Sequence, residues 1–208
     1  FDVFLHSGGT GLQEFSQEPL EPSTEPSQPG FWRSFLREFL ETLLLAMVLF
    51  LVVEALSARV RVEGFSMLPT LQNGELVLVS KISYRFSPIQ RGNIIVFRHP
   101  LYPNQELIKR VIGLPGDTIQ IQNERLILNG MAIQEPYITA PPRYNGEWQV
   151  PPQHLFVLGD NRNDSSDSHS WGLLPIDHVV GKAILVYWPL SRIRLLEHPA
   201  LLDSIPSP

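Results

Sequence analysis

Thr118-Ile119-Gln120-Ile121-Gln122-Asn123-Glu124-Arg125-Leu126-Ile127-Leu128-Asn129-Gly130 is the stretch that decides the fold. Thr118–Ile121 and Arg125–Leu128 are strand-length runs rich in branched aliphatic residues. Asn129-Gly130 is the dipeptide a two-residue hairpin turn prefers, because both central residues must take φ > 0. The same grammar continues on either side. Leu76–Val79, Ile94–Phe97, Leu107–Ile112, Leu155–Leu158 and Ala183–Trp188 read as further strands, with turn signals at Asn73-Gly74, Arg91-Gly92-Asn93, Pro115-Gly116-Asp117 and Asn145-Gly146. There is no strand–helix–strand alternation and no repeat. The expectation is therefore mainly β: a coiled antiparallel β-sheet domain over 59–196 with one core and a Pro-rich excursion over 134–152.

Upstream the composition changes twice. Residues 1–30 are acidic and Pro-rich, with too little apolar surface to offset the entropy of ordering, and are expected to be a disordered tail. Residues 31–58 hold an apolar helical run of about 20 residues, the length that crosses about 30 Å of hydrocarbon. Its acids, Glu41 and Glu54, fall near the two ends, where charge is cheapest, and Phe31-Trp32 with Arg33 and Arg37 form an interfacial anchor. The run is long for a core helix and lies too far from residue 1 for a signal peptide, so a single N-terminal transmembrane helix is expected. Arg33 and Arg37 before it balance Arg59 and Arg61 after it, so charge alone does not orient the chain. Residues 197–208 read as a C-terminal tail.

The 208 residues carry a net charge of −5 and no cysteine. An acidic balance gives no reason to expect nucleic acid, and the absence of thiols excludes disulfides and Cys-ligated zinc. None of the six histidines stands at metal-ligand spacing, and no cofactor is expected. Charged residues make up only 18% of the chain, so an apolar surface is expected somewhere on the domain.

Chemistry is carried by three stretches. In Gly64-Phe65-Ser66-Met67-Leu68-Pro69, a turn bracketed by Gly and Pro can aim the Ser66 hydroxyl and amide at one point, although the same pattern also describes an ordinary loop. No G-x-S-x-G elbow accompanies it. The chain has three lysines, Lys81, Lys109 and Lys182. Strand alternation puts Lys109 on the face of Leu107 and Val111, where desolvation would lower its pKa; the alternative is a strand lysine reaching out to water. Asp160 to Gly172 is the densest polar run, read either as a solvent loop or as one held by its own hydrogen bonds.

Taken together, the three stretches resemble the type I signal peptidases. Ser66-Met67-Leu68-Pro69-Thr70-Leu71 resembles the family's S-M-x-P-T-L, and Lys109 to Asp117 its K-R-V-x-G-x-P-G-D. Gly159-Asp160-Asn161-Arg162, followed by Ser165, Asp167-Ser168 and Trp171-Gly172, resembles its G-D-N-R-x-x-S-x-D-S-R-x-W-G. The resemblance implies Ser66 as nucleophile, Lys109 as general base and Ser165 as the group that orients the lysine amine. It also implies that Asp160, Arg162 and Asp167 brace the loop and that Met67 and Pro69 shape the nucleophile's turn. The implied substrates are preproteins with A-x-A-like cleavage sites, met at the lipid bilayer by a catalytic domain on the trans side of the plasma membrane, or of a plastid membrane. Two departures stand out: Gly64 where some members have an oxyanion-donating serine, and His169 where the motif has Arg. Rival readings are a repressor-type self-cleaving Ser–Lys protease and an inactive membrane-tethered binding module.

Overall fold

The structure is a computed structural model describing residues 31–199. The tail expected at 1–30 lies outside the described residues; of the tail expected at 197–208 only 197–199 are described, and there His198 Nδ1 accepts from the Ile94 N–H at 3.4 Å.

Helix α1 spans Phe31–Leu56. Its 26 residues rise about 39 Å, and by length and composition Trp32–Leu56 is long and apolar enough to cross a membrane. Two of its three acids are ion-paired: Arg37 Nε donates to Glu41 at 2.7 Å, and Arg59 bonds Glu54.

The chain passes directly from α1 into β1, Ser57–Arg61, so the sheet starts two residues before the expected boundary. Pairing explains the shift: Ser57 and Ala58 sit opposite Ser80 and Val79 of β2, Leu76–Ser80. There follow a short α2, Ser83–Phe86, then β3, Ile94–Arg98, and β4, Glu106–Gly113. Next are β5, Thr118–Gln122; β6, Arg125–Leu128; β7, Met131–Ala132; and β8, Gly146–Gln149. The last elements are β9, His154–Leu158; α3, Ser168–Trp171; β10, Leu174–Pro175; β11, Val179–Trp188; and β12, Arg194–Leu195.

These strands make two antiparallel sheets. The larger runs β1-β2-β11-β3-β4-β9-β10, with β12 against β11, and the smaller runs β7-β6-β5-β8. Register shifts along β11 and between β4 and β9 bend the larger sheet. One face buries Val62, Met67, Val77, Val79, Ile94 and Val96; the other buries Ile95, Phe97, Val111, Leu155 and Val157. The smaller sheet packs Ile119, Ile121, Leu126 and Leu128 on Phe156 and Leu158.

Asn129-Gly130 forms the expected tight turn, at φ 50° and 81°. Asn145-Gly146 does not: Gly146 opens β8, which pairs with β5 inside the stretch expected to be an excursion. The glycine is there because the Trp148 ring folds back over it, with a ring carbon 2.2 Å from where a Cβ would stand.

Candidate active site

Lys109 lies in the middle of β4, opposite Ile95 of β3. Strand alternation puts it on the face of Leu107 and Val111, which belong to the cluster of Phe97, Val157 and Trp171, and it is only 3% exposed. Burial pushes its amine down to about 8, against the upward pull of the Asp167 and Asp160 charges. The Nζ lies 2.7 Å from Ser66 Oγ and 3.1 Å from the Ile108 carbonyl oxygen. Lys81 is exposed and Lys182 half-buried, so Lys109 is the lysine that the fold desolvates.

Ser66 follows β1 in a turn fixed at several points. The Val62 N–H donates to Glu75 O, and Gly74 N–H donates to Val62 O. Gly64 stands at φ 92°, a conformation open to glycine, and its N–H donates to Asn73 Oδ1. One residue beyond the serine, Met67 is buried in the core and anchors the turn, while Pro69 follows a cis bond at its exposed end. Among the described residues the Ser66 N–H donates to no protein atom. Gly64 offers neither a hydroxyl nor a free amide.

The Gly159–Gly172 loop closes on this turn. Asn161 N–H donates to Ser66 O at 2.9 Å, and its Nδ2 to Phe65 O at 3.2 Å. Asp160 takes both prongs of Arg110, at 2.8 and 2.7 Å, and accepts from Thr70. Asp167 accepts from Gly159 N–H, pairs with His169 Nδ1 at 2.6 Å and caps α3 together with Ser170. Arg162 is buried on Glu135. The structure thus gathers Ser66, Lys109, Asp160, Arg162, Asp167, Met67 and Pro69 into one region.

Ser165 differs from the expectation. Its Oγ is buried without a hydrogen-bond partner, and the lysine amine is held by Ser66 and the Ile108 carbonyl instead. The Ser165 side chain packs on Gly159: a Cβ placed there would meet Ser165 Oγ at 2.3 Å. Sequence reading also gave no role to Asn161, Glu135 or Asp117. Asp117 is wholly buried on Arg91, which ties the turn after β4 to the start of β3. The buried cation at Arg162 was a signal that an acid had to be found, but nothing local pointed to Glu135.

A cleft of about 490 Å³ opens beside the serine, lined by Arg59, Arg61, Glu63, Glu106 and Ile108 along with Ser66 and Lys109. A larger cavity of about 800 Å³ is lined by Thr70, Arg110, Tyr137 and Arg194 and touches neither Ser66 nor Lys109. The smaller cleft is the one that meets the reactive groups.

A hydroxyl in hydrogen-bond contact with a desolvated amine, beside a free main-chain N–H, has the parts needed for acyl transfer. The signal peptidase family model, peptidase S26, matches residues 36–188. A signal peptidase I of Leptolyngbya laminosa is 43% identical over 164 residues, covering 74% of this chain and 80% of that one. A probable signal peptidase I-1 of Synechocystis sp. is 44% identical over 156 residues, covering 71% and 80%. The thylakoidal processing peptidase 1, chloroplastic, of Arabidopsis thaliana is 36% identical over 157 residues, covering 70% of this chain and 46% of its own length.

The chain belongs to the signal peptidase family, peptidase S26. It is a serine endopeptidase that removes signal peptides from secreted preproteins.

Proposed function

We propose that Ser66 is the nucleophile of this peptidase and Lys109 its general base, and the 2.7 Å contact between Ser66 Oγ and the buried Lys109 Nζ is the observation that carries the reading. An amine poised at about 8 is neutral for part of the time near neutrality and can accept the hydroxyl proton as Oγ attacks the scissile carbonyl. The free Ser66 N–H then receives the developing oxyanion. The protonated amine returns its proton to the leaving amine, releasing the mature protein. The same amine next activates the water that cleaves the acyl-enzyme.

The cleft favours an extended substrate. β1 is the end strand of its sheet, and the first half of β4, Glu106–Lys109, is paired only on its β3 side. A signal peptide's C-terminal segment can pair between these edges, with alternate small residues of an A-x-A-like site turned inward. Asp160, Arg162 and Asp167 hold the loop behind the serine, and the buried, unpartnered Ser165 hydroxyl of the same loop is the group we assign to orienting the amine.

Lipid is the second partner. Trp188, Leu190, Ile193 and Leu195 are exposed at the end of β11 and beyond, and α1 serves as a membrane span. From the family resemblance we assign the catalytic domain to the trans side of the plasma membrane; the thylakoidal relative favours a plastid membrane as the second reading. Cleavage of an A-x-A preprotein by the Ser66→Ala and Lys109→Ala chains tests the assignment. Loss of cleavage in both, with the fold intact, is expected, and retained processing in either contradicts it.

A further inference from the structure

The loop that holds Ser66 is itself held from behind by a segment with no evident part in the chemistry. Between β7 and β8 the chain runs across the back of the Gly159–Gly172 loop and fastens to it in three places. Glu135 grips Arg162 with both carboxylate oxygens. Asn163 accepts from Arg143 N–H at 2.8 Å and donates to Pro141 O at 2.9 Å. Tyr144 stacks on His169, with ring centroids 4.1 Å apart and planes 14° from parallel.

The first fastening differs in kind from the others. The Arg162 side chain is 0% exposed and that of Glu135 4%, so the pair is removed from water. Apart from Glu135, Arg162 donates to Gly159 O at 3.2 Å. Glu135 is in turn fixed by the Tyr137 hydroxyl, which donates to it at 2.6 Å. The Tyr137 ring lies under the Arg110 guanidinium at 4.1 Å and within 5.9 Å of that of Arg162. Removing the carboxylate would leave a buried guanidinium uncompensated, a state that protein interiors do not sustain without rearranging. The rearrangement would fall on the residue next to Arg162. That residue is Asn161, whose two donors hold the Phe65 and Ser66 carbonyls.

We propose that Glu135 is a positioning residue for the nucleophile's turn: from the far side of the loop it fixes Arg162, and through Asn161 it fixes the backbone of Ser66. The inference rests on the reading of Ser66 as nucleophile. It gives the Glu135-Pro136-Tyr137 segment a role in turnover that an ordinary surface excursion lacks. A shift of the serine by an ångström or less changes the rate of attack far more than the affinity of a peptide bound along strand edges.

The test uses the full chain with α1 in detergent micelles, a preprotein with an A-x-A site, and four proteins: wild type, Ser66→Ala, Glu135→Gln, and Glu135→Gln combined with Arg162→Gln. For each, kcat, KM and Tm are measured. Glu135→Gln is expected to lower kcat by about 10²-fold with KM within about twofold of wild type. Because the single variant also strands a buried charge, the double variant carries the decision. It removes both charges, so Tm recovers, while kcat stays at least about tenfold down because the loop has lost its anchor. A double variant with wild-type kcat overturns the proposal, as does a single variant that loses Tm alone. Cleavage by Ser66→Ala overturns the nucleophile assignment itself, and this inference with it, and is distinct from either of those results.

Discussion

Gly159 stands so close to the nucleophile's turn that a Cβ on it would lie 2.4 Å from the Ser66 carbonyl oxygen. The same Cβ would lie 2.3 Å from Ser165 Oγ, so the Asp160 loop and the serine turn meet across a residue with no room for a side chain. Gly159→Ala therefore moves Ser66 or the loop, and is expected to cut kcat on a preprotein by about 10²-fold or more. Far-UV circular dichroism checks that the sheets remain. A rate within twofold of wild type would mean that the turn absorbs the methyl group and that this packing is not what sets the geometry.

Lys109 costs the protein stability. Burial lowers its amine from 10.5 to about 8, so between those values the unfolded chain binds more protons and stability rises with pH. Below about 8 both states are protonated and the full penalty applies, on the order of 3 kcal/mol. Lys109→Met is expected to abolish cleavage while raising Tm at pH 7, and to flatten the rise in Tm toward alkaline pH. Thermal unfolding in detergent across pH 7 to 10.5 reads both effects; a less stable variant would contradict the assignment of an unfavourably buried ammonium.

Asp117 makes the opposite contribution. Burial raises its pKa, but Arg91, the Leu114 N–H and Asn129 together hold it below the usual carboxylate value. Stability from this group is present above the unfolded carboxylate range and is lost as pH falls through its lowered native pKa. Asp117→Asn removes the buried carboxylate that takes two prongs of Arg91 at 2.8 and 2.6 Å and accepts from the Leu114 N–H, and is expected to cost about 2–3 kcal/mol. Urea unfolding at pH 7 measures it. A cost under about 1 kcal/mol would mean the pair is solvated or replaced.

His169 stacks on Tyr144 and faces Asp167 where the family motif carries Arg. An arginine supplies the same donor with a permanent charge. His169→Arg is expected to leave kcat within about threefold of wild type at pH 8, because the exchange keeps the contact to Asp167. A collapse in turnover at unchanged Tm would give His169 a role of its own.

Most of the β framework was readable from local pattern, because Leu76–Val79, Ile94–Phe97, Thr118–Ile121 and Arg125–Leu128 are long enough to carry branched runs between Gly-containing turns. What escaped were elements defined by their partners. β1, β8 and the two-residue strands β7, β10 and β12 have no run of their own and exist because a neighbouring edge pairs with them. The turn at Asn123-Glu124 takes φ 51° and 61° with a glutamate in a position where glycine is the usual signal. At the site, Ser66 and Lys109 were legible from the motifs and from strand alternation. Glu135 was not, because its importance comes from Arg162, 27 residues along the chain and buried with it.

The central claim is that a buried, neutral Lys109 takes the proton of Ser66. The measurement that meets it most directly is the rate of cleavage of an A-x-A preprotein by the detergent-solubilised chain from pH 6 to 10, for wild type and Lys109→Ala side by side. The account predicts a wild-type rate that rises with pH through an acid limb near 8, as the amine loses its proton, and no cleavage by Lys109→Ala at any pH. Cleavage that survives in Lys109→Ala, or a wild-type rate flat across that limb, would contradict it.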